Sequence, residues 1–256
     1  MSRSIFDPRA GGALRRAAGK RVIVAFDFDG TLAPIVSRPS DARMRPSTRL
    51  LLKGIARLYP TVVLTGRARA DVACRLRGIA LAAIVGNHGF EGGGIRTKAF
   101  QIARRWRGAL RALARIPGVA IEDKGHTLAI HYRNAANRAA ARRNIVRVVV
   151  DLSPQPRIVP GKALINLLPD LNVNKGTALL RLLRSYRAHG AIFVGDDRTD
   201  EDVFNLPPSR NVLTICVGRS ASSTARYRIV DARHIDRLLA QLIAIRETAK
   251  NSQYSP

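Results

Sequence analysis

Seven of the 18 acidic residues in this 256-residue chain fall in two short segments. The first segment holds Asp27 and Asp29, which are two residues apart and therefore point the same way in extended backbone. The second segment holds Asp196, Asp197, Asp200, Glu201 and Asp202. Carboxylate oxygens are ligands that Mg²⁺ takes in proteins, usually together with waters and a substrate phosphate. The two segments therefore predict a Mg²⁺ site, because so many carboxylates held together without a cation would repel one another.

Each acidic segment also has a purely structural interpretation. Asp-Gly-Thr at positions 29–31 could form a turn that the aspartate caps. The acids at positions 200–202 could simply begin a helix, where the helix dipole favours negative charge. This second interpretation does not explain Asp196 and Asp197, which follow an apolar run, so we favour the metal site.

Both acidic segments follow short apolar runs that are typical of buried strands. Residues 21–26 (RVIVAF) precede Asp27, and residues 191–194 (AIFV) precede the second segment. Further apolar runs at 61–64, 82–85 and 211–217 alternate with helical patterns at 46–58, 69–76, 176–188 and 234–249. This alternation predicts an α/β fold with a mostly parallel sheet. Parallel strands would bring both acidic segments to one edge, where ligands bind in such sheets.

The middle of the chain has a different pattern of predicted helices and strands. Helical patterns at 101–114 and 135–150 each lead to short strand-like segments, which predicts a small α+β unit inserted into the α/β core. We therefore expect a first core part at residues 1–99, an inserted cap domain at 100–171 and a second core part at 172–256. The tails at 1–19 and 250–256 show no regular pattern, and we expect both to be loose.

Four motifs resemble those of the haloacid dehalogenase-like (HAD) phosphatases, and they come in the order of that superfamily. Residues 26–32 (FDFDGTL) resemble the nucleophile motif, and Thr65 after the run TVVL resembles the second motif. Lys175 resembles the third motif, and residues 195–200 (GDDRTD) resemble the fourth. The fold that this resemblance implies is a Rossmann-like core with a parallel sheet and an inserted α+β cap.

The resemblance extends to the trehalose-6-phosphate phosphatase family over about residues 20–235. Signatures similar to those of that family stand at 27–35 (DFDGTLAPI), 65–67 (TGR), 86–89 (GNHG), 121–125 (IEDKG), 131–133 (HYR), 173–179 (VNKGTAL) and 195–202 (GDDRTDED). The resemblance implies a Mg²⁺-dependent hydrolase of trehalose biosynthesis, a phosphatase that converts trehalose 6-phosphate to trehalose and phosphate.

The resemblance also implies a role for each acid of the core. Asp27 would attack phosphorus and form an aspartyl-phosphate. Asp29 would protonate the leaving sugar oxygen and later deprotonate the attacking water. Mg²⁺ would be held by Asp27, by the main-chain carbonyl of Asp29 and by Asp196. Asp197 or Asp200 would support that metal shell, and the sequence does not rank the two.

Further core residues would bind the phosphate or the substrate. By the same resemblance, Thr65, the Gly66 amide and Lys175 would hold the phosphoryl oxygens while charge redistributes. Arg67 would meet phosphate or sugar, and His88, which stands in a glycine-flanked loop, would touch the ligand. A simpler interpretation of Lys175 is a surface lysine that opens a helix.

The predicted cap would recognise the sugar. The resemblance assigns this role to Glu122, Lys124, His131 and Arg133, although Glu122 and Lys124 could also form an ion pair on an exposed strand. Asn166 stands at a position where the family usually has Glu, and an amide carries no charge. A phosphatase of another sugar phosphate, such as glucosylglycerol phosphate or sucrose phosphate, is therefore the alternative function.

Basic residues outnumber acidic ones by 44 to 18, which gives a formal net charge of +26. Such an excess makes a nucleic-acid-binding protein an alternative from a different class. The basic residues are spread over the predicted helices without interleaved aromatics, which make up only 5% of the chain, and no zinc-finger or helix-turn-helix spacing occurs. We therefore expect a sugar-phosphate partner and no dedicated nucleic-acid partner, with the arginine excess helping to attract an anionic substrate.

The chain has no run of 18 apolar residues and no signal-peptide pattern at its first residues. Cys74 and Cys216 lack the spacing of a metal site. We therefore expect a cytoplasmic enzyme, a monomer or weak oligomer, without a membrane partner.

Overall fold

The computed structural model describes residues 2–19, 21–91, 96–161, 163–218 and 222–251. Contacts within the chain divide it into two compact units, the core unit (residues 1–89 and 174–256) and the cap unit (residues 90–173). The insert expected from the sequence, 100–171, falls inside the cap unit. Each unit has its own sheet and its own hydrophobic core.

The regular elements of the described residues are as follows in chain order. The strands are β1 (Arg3–Ser4), β2 (Val22–Phe26), β3 (Thr61–Leu64), β4 (Ala83–Val85), β5 (Ala120–Asp123), β6 (Leu128–His131), β7 (Pro156–Gly161), β8 (Leu164–Pro169), β9 (Gly190–Gly195), β10 (Val212–Val217) and β11 (Tyr227–Ile229). The α-helices are α1 (Gly11–Ala17), α2 (Pro46–Leu58), α3 (Arg69–Arg75), α4 (Arg96–Leu110), α5 (Arg138–Val150), α6 (Lys175–Ser185), α7 (Glu201–Phe204) and α8 (Ile235–Asn251).

The core unit contains a parallel sheet with the strand order β1-β11-β10-β9-β2-β3-β4. β2 lies between β9 and β3, and all five of its residues are buried. Its apolar run is continuous because both faces of a central parallel strand are covered. Phe26 pairs with Val194, so β2 and β9 end side by side, and the acids that follow them share one edge. The predicted α/β core with a parallel sheet is confirmed.

Helices cover both faces of this sheet. On one face Leu52 of α2 and Leu239 of α8 belong to the same hydrophobic cluster as Val24 of β2. On the other face Leu179 of α6 belongs to a cluster with Phe193 of β9. Burial of one such side chain contributes about 1.5–3 kcal/mol, so the two layers hold the sheet edge in place. No helix in the described ranges combines the length and the apolar composition that a membrane span needs.

The prediction of a loose tail at residues 1–19 is wrong. Ser4 pairs with Arg228 of β11, and α1 buries Ala13 and Leu14 in the hydrophobic cluster of the core sheet. Seven residues that begin with two glycines have little intrinsic helix propensity, and packing on the sheet stabilises α1 instead. The predicted start of the second tail, residue 250, is also too early, because α8 extends to Asn251. Residues 252–256 lie outside the described residues.

The cap unit contains an antiparallel sheet with the strand order β5-β6-β8-β7. One face of this sheet buries Leu128 and Ile130 in a cluster with Trp106 of α4 and Ile145 of α5. Alternating residues of β6 thus point to the helices, as the period of a strand requires. The predicted small α+β unit is confirmed, although α4 begins at Arg96, before the predicted start.

Candidate active site

Lys175 stands at the centre of the acidic edge of the core sheet. It is the first residue of α6, and Asn174 caps this helix by accepting a hydrogen bond from the Thr177 amide at 2.8 Å. The Lys175 side chain is 1% exposed, and its Nζ donates to Asp27 Oδ1 at 2.9 Å and to Asp200 Oδ1 at 2.7 Å. A buried ammonium needs such partners. Its interpretation as a surface lysine is therefore wrong.

Asp200 fixes the loop that follows β9. While its Oδ1 accepts from Lys175, its Oδ2 accepts the main-chain N–H groups of Asp196 at 2.8 Å and Asp197 at 3.0 Å. The Asp197 carboxylate is half-exposed and accepts bonds from the amide and the hydroxyl of Thr199 at 2.7 and 2.6 Å. Because both oxygens of Asp200 are engaged, this residue sets the direction in which the two preceding acids leave the strand.

Asp196 is held more weakly than the other acids of this edge. Among the described residues its carboxylate accepts one hydrogen bond, from the Thr31 hydroxyl at 3.4 Å. Gly30 lies against this carboxylate with φ +79°, and a Cβ at that position would overlap it. A glycine is therefore required here both for the backbone conformation and for space. The turn after β2 leaves one carboxylate open at the sheet edge.

The close packing of these acids changes their protonation. Burial raises the pKa of Asp27 well above its ordinary value, against the opposing charge of Lys175. Burial and the neighbouring Asp200 raise the pKa of Asp196 to about 8. Burial also raises the pKa of Asp200 to about 6 despite the Lys175 charge. Burial would lower the pKa of Lys175, but the surrounding carboxylates raise it well above its ordinary value. The edge carries more negative charge than one lysine balances.

Three of these carboxylates fit a divalent cation. Asp27, Asp196 and Asp200 each offer an oxygen, and these oxygens lie within 4.8 Å of one another. Hard oxygen donors of this kind suit Mg²⁺. A cation at this place would favour the ionised carboxylates and so reverse the upward pKa shifts. Besides offering an oxygen to a cation, Asp200 accepts hydrogen bonds from Lys175 and from two main-chain amides. Through these bonds it orients the other acids.

Arg67 holds the second acid of the first segment. Its Nε and Nη2 donate to the two oxygens of Asp29 at 2.6 and 2.7 Å, which is a bidentate pair. Its Nη1 donates to Asp71 at 2.8 Å, and Nη2 also donates to the carbonyl of Pro39 at 2.9 Å. Burial would lower the pKa of Arg67, but the two aspartates raise it above its ordinary value. Each of the three guanidinium nitrogens thus donates a hydrogen bond, and these bonds hold the Asp29 carboxylate in one orientation.

Thr65 follows β3, which is the neighbour of β2, so it comes to the same edge as Asp27. Its Oγ1 accepts a bond from the Arg67 amide at 3.1 Å, and its carbonyl accepts one from the His88 amide at 2.9 Å. His88 is buried, with φ +55°, and its ring lies against Gly66, where a Cβ would overlap it. The structure thus brings Thr65, Gly66 and His88 together beside the acids.

The predicted sugar-binding residues lie in the cap unit. Glu122 and Asn166 both pair with the same residue of β6 and therefore share the face opposite the helices. His131 Nε2 lies 2.8 Å from Glu122 Oε2, and Lys124 Nζ lies 4.0 Å from the same oxygen. Arg133 follows β6 in the turn that leads to α5. This face carries a polar patch whose sugar-binding role stays a prediction.

Three side chains that shape the core site were missed by sequence reasoning. Asn174 had a signal, because Asn followed three residues later by Thr is the spacing of a capping box, and both of its bonds form. Asp71 had a weaker one, because arginines four residues before and after it have the spacing of helical ion pairs. Thr31, which binds Asp196, had no signal beyond its place in the motif.

Comparison with known sequences decides the family. A profile described as trehalose-phosphatase matches residues 25–228, which include every acid described above. The chain belongs to the trehalose-phosphatase family. It is 35% identical over 213 residues to the trehalose-phosphate phosphatase of Mycolicibacterium paratuberculosis, an alignment that covers 73% of this chain and 52% of that relative. The chain thus spans about half the length of this relative.

Solved structures share the fold of this trehalose-phosphatase family member. The C-terminal domain of C. albicans trehalose-6-phosphate phosphatase has a TM-score of 0.73 at 21% identity and covers 95% of this chain and 98% of that structure. A haloacid dehalogenase-like hydrolase from Bacteroides thetaiotaomicron has a TM-score of 0.63 at 13% identity and covers 87% and 100%, respectively. Similarities at these identities establish the fold alone. The predicted HAD core with a cap is confirmed.

We expect the Asp196→Asn variant to lose the pH dependence that the crowded acids impose on stability. Because the folded-state pKa of Asp196 is about 8, the folded protein holds a proton that the unfolded chain releases near pH 4. Stability of the wild type in EDTA should therefore fall as pH rises from 5 to 8, on the order of 2 kcal/mol more than that of Asp196→Asn. Thermal unfolding at several pH values measures the difference, about 4–8 °C in Tm.

The exposed acid Asp170 provides the matched control for this measurement. The Asp170→Asn variant should keep the full pH dependence of the wild type. Adding Mg²⁺ at pH 8 should raise the Tm of the wild type more than that of Asp196→Asn. Equal losses of stability in the wild type and Asp196→Asn between pH 5 and 8 would contradict the prediction, because they would show that the pKa of Asp196 is not raised in the folded protein.

Proposed function

We propose that this protein is a Mg²⁺-dependent phosphatase that hydrolyses trehalose 6-phosphate to trehalose and phosphate. Membership of the trehalose-phosphatase family supports the reaction, and the relative named as a trehalose-phosphate phosphatase supports the substrate. The observation that carries the proposal is the buried bond from Lys175 Nζ to Asp27 Oδ1 at 2.9 Å. It orients a carboxylate at the strand end where ligands bind in sheets of this kind.

Asp27 is the nucleophile of the proposed first step. Lys175 engages Oδ1, so we assign the attack to Oδ2. A bond forms between this oxygen and phosphorus while the bond from phosphorus to the sugar oxygen breaks, which leaves an aspartyl-phosphate. The ammonium of Lys175, the Thr65 hydroxyl and the Gly66 amide would stabilise the phosphoryl oxygens during the transfer.

Asp29 is the proposed general acid and base. In the first step its carboxylic acid gives a proton to the leaving sugar oxygen, so trehalose leaves as a neutral alcohol. In the second step the carboxylate takes a proton from water, whose oxygen bonds to phosphorus as the bond to Asp27 breaks. Phosphate is released and both carboxyl groups return to their starting states. In this structure Arg67 holds Asp29 as a carboxylate by donating to both of its oxygens, so one of these contacts must open before Asp29 carries the proton that it gives to the leaving group.

Mg²⁺ is the proposed cofactor. When bound, it offsets the repulsion between the nucleophilic carboxylate and the substrate phosphate. We propose Asp27, Asp196 and the main-chain carbonyl of Asp29 as its ligands, with Asp200 and Asp197 as supporting residues. The cluster of three carboxylate oxygens within 4.8 Å supports a divalent cation, and the hardness of these donors suits Mg²⁺ better than cations that prefer nitrogen or sulfur ligands.

The identity of the sugar depends on residues outside this acidic edge. The proposal assigns sugar recognition to Glu122, Lys124, His131, Arg133 and Asn166. Because Asn166 is an amide where the family usually has Glu, an enzyme for glucosylglycerol phosphate or sucrose phosphate stays the alternative. The cytoplasmic location and the monomeric or weakly oligomeric state stay predictions as well.

A panel of sugar phosphates tests both the substrate and the nucleophile. We expect kcat/KM for trehalose 6-phosphate to exceed that for sucrose 6-phosphate and glucosylglycerol phosphate at least about tenfold, because hydrogen-bonding sites reject analogues that leave their polar groups unpaired. Asp27→Asn should lower phosphate release on the order of a thousandfold or more, since the amide is a poor nucleophile. Phosphate release is measured with Mg²⁺ present, and circular dichroism checks that each variant is folded.

The panel of sugar phosphates tests the substrate, and the Asp27→Asn variant tests the mechanism, so either can be rejected without the other. A higher kcat/KM for another sugar phosphate would reject trehalose 6-phosphate and leave the phosphatase mechanism intact. Turnover retained by a folded Asp27→Asn variant would reject the mechanism itself. Asp170→Asn again serves as the control and should keep wild-type turnover.

We expect Arg67 to act on the rate rather than on substrate binding. Arg67→Ala frees the Asp29 carboxyl group to rotate, so kcat should fall about ten- to a hundredfold while KM changes less than about threefold. Arg75→Ala is the matched control, because Arg75 also binds Asp71 but has no bond to Asp29 among the described residues. Its kcat should stay within about twofold of the wild type. A rise in KM larger than the fall in kcat would support the predicted substrate-binding role of Arg67 instead.

A further inference from the structure

A cavity of the core unit lies at the opposite end of the strands from the acids. Its volume is about 530 Å³, and the first residues of β2, β9 and β10 line it, namely Val22, Gly190 and Val212. The acids Asp27 and Asp196 follow the other ends of β2 and β9. We call this space the amino-edge cavity. Its size falls within the range of sites for small molecules, about 300–1,000 Å³.

The ionisable side chains among the described lining residues of the amino-edge cavity are three arginines and one histidine. Arg16, Arg21, Arg226 and His189 line it, and the described lining residues include no Asp or Glu. Within the described part of the chain none of the three arginines forms an ion pair, in contrast to Arg67, which binds two aspartates. Three guanidinium groups without carboxylate partners at one concave surface create a positive potential that attracts anions.

The inner surface of the amino-edge cavity supplies neutral donors and an apolar floor. β11 pairs with β10 only at residues 215–217, so the start of β10 has no strand on that side among the described residues. Asn211 accepts from β9, and Gly218 donates towards β11. Since residues of a parallel strand alternate in direction, the main-chain N–H groups of Val212 and Thr214 point away from β9. The side chains of Phe204 and Leu206, which belong to the same hydrophobic cluster, form the apolar floor.

Backbone strain at the rim of the cavity is a further observation. Arg21 has φ +58° and Asn211 has φ +52°, and both residues line the amino-edge cavity. Asparagine adopts the left-handed region at little cost, whereas this conformation is strained for arginine. Strain of this kind is concentrated at functional sites. The strained backbone holds the Arg21 side chain at the rim.

We propose that the amino-edge cavity binds a small organic polyanion, a molecule with two or more phosphate or carboxylate groups on a partly apolar body. The guanidinium groups of Arg16, Arg21 and Arg226 bind the anionic groups. The apolar floor accommodates the remainder of the molecule. This site is separate from the acidic edge of the core sheet and does not depend on the proposed phosphatase activity.

Isothermal titration with ADP as the probe tests the proposal. The titration is done in EDTA at about 150 mM salt, so that neither a metal nor weak surface attraction carries the binding. ADP should bind one to one, and the double variant Arg16→Gln/Arg21→Gln should weaken binding about tenfold or more, because charge-assisted hydrogen bonds are lost. Arg142→Gln/Arg143→Gln on α5 removes the same charge elsewhere and should change affinity less than about twofold.

Two further titrations separate the cavity from other sites. Asp27→Asn should bind ADP as the wild type does, whereas binding that strengthens or disappears in this variant belongs to the acidic edge and overturns the proposal. Inorganic pyrophosphate should bind more weakly than ADP because it cannot use the apolar floor, and equal affinities would reject that assignment. Absence of ADP binding, or equal weakening in the α5 control, would also overturn the proposal.

Discussion

One buried ammonium holds together carboxylates that repel one another, and the rest of the core unit is arranged around that requirement. Lys175 contacts Asp27 and Asp200 directly, and Asp197 lies 3.9 Å from its Nζ. With Asp196 this makes four carboxylates beside one cation, so negative charge is in excess when all are ionised. The raised pKa values of Asp27 and Asp196 follow from this excess together with burial. A divalent cation would remove most of the imbalance, which links metal binding to the protonation of Asp27 and Asp196.

The surrounding elements supply the geometry that this crowding requires. β2 and β9 are neighbours and end together, so their acids meet at one edge. α6 begins at Lys175, which places the positive end of the helix dipole beside the acids, and Asn174 fixes that first turn. Gly30 leaves space for the Asp196 carboxylate. Arg67 keeps Asp29 apart from the crowded cluster by binding both of its oxygens. The contacts thus place Asp29 on an arginine, while Asp27 and Asp200 gather around Lys175.

Much of this arrangement could be predicted from sequence because its signals are local. The bounds of α2 and β3 agree with prediction, since Pro46 begins the helix and a run of buried β-branched residues forms the strand. α1 was missed because its stability comes from packing on the sheet rather than from its own residues. The bond between Arg67 and Asp29 was also missed, because it joins two loops that only the tertiary fold brings together. Spacing along the chain predicted which acids gather, while their individual partners depend on distances that a sequence does not contain.

The number of protons released when Mg²⁺ binds is the most direct measure of the central constraint. Titration of the metal-free protein at pH 7 in buffers of different ionisation enthalpy gives this number. Because the pKa of Asp196 is about 8 without a cation and that of Asp27 is raised as well, we expect one Mg²⁺ to bind with the release of at least about one proton. Binding of Mg²⁺ with no proton release would contradict this expectation, because the carboxylates would then already be ionised without a cation.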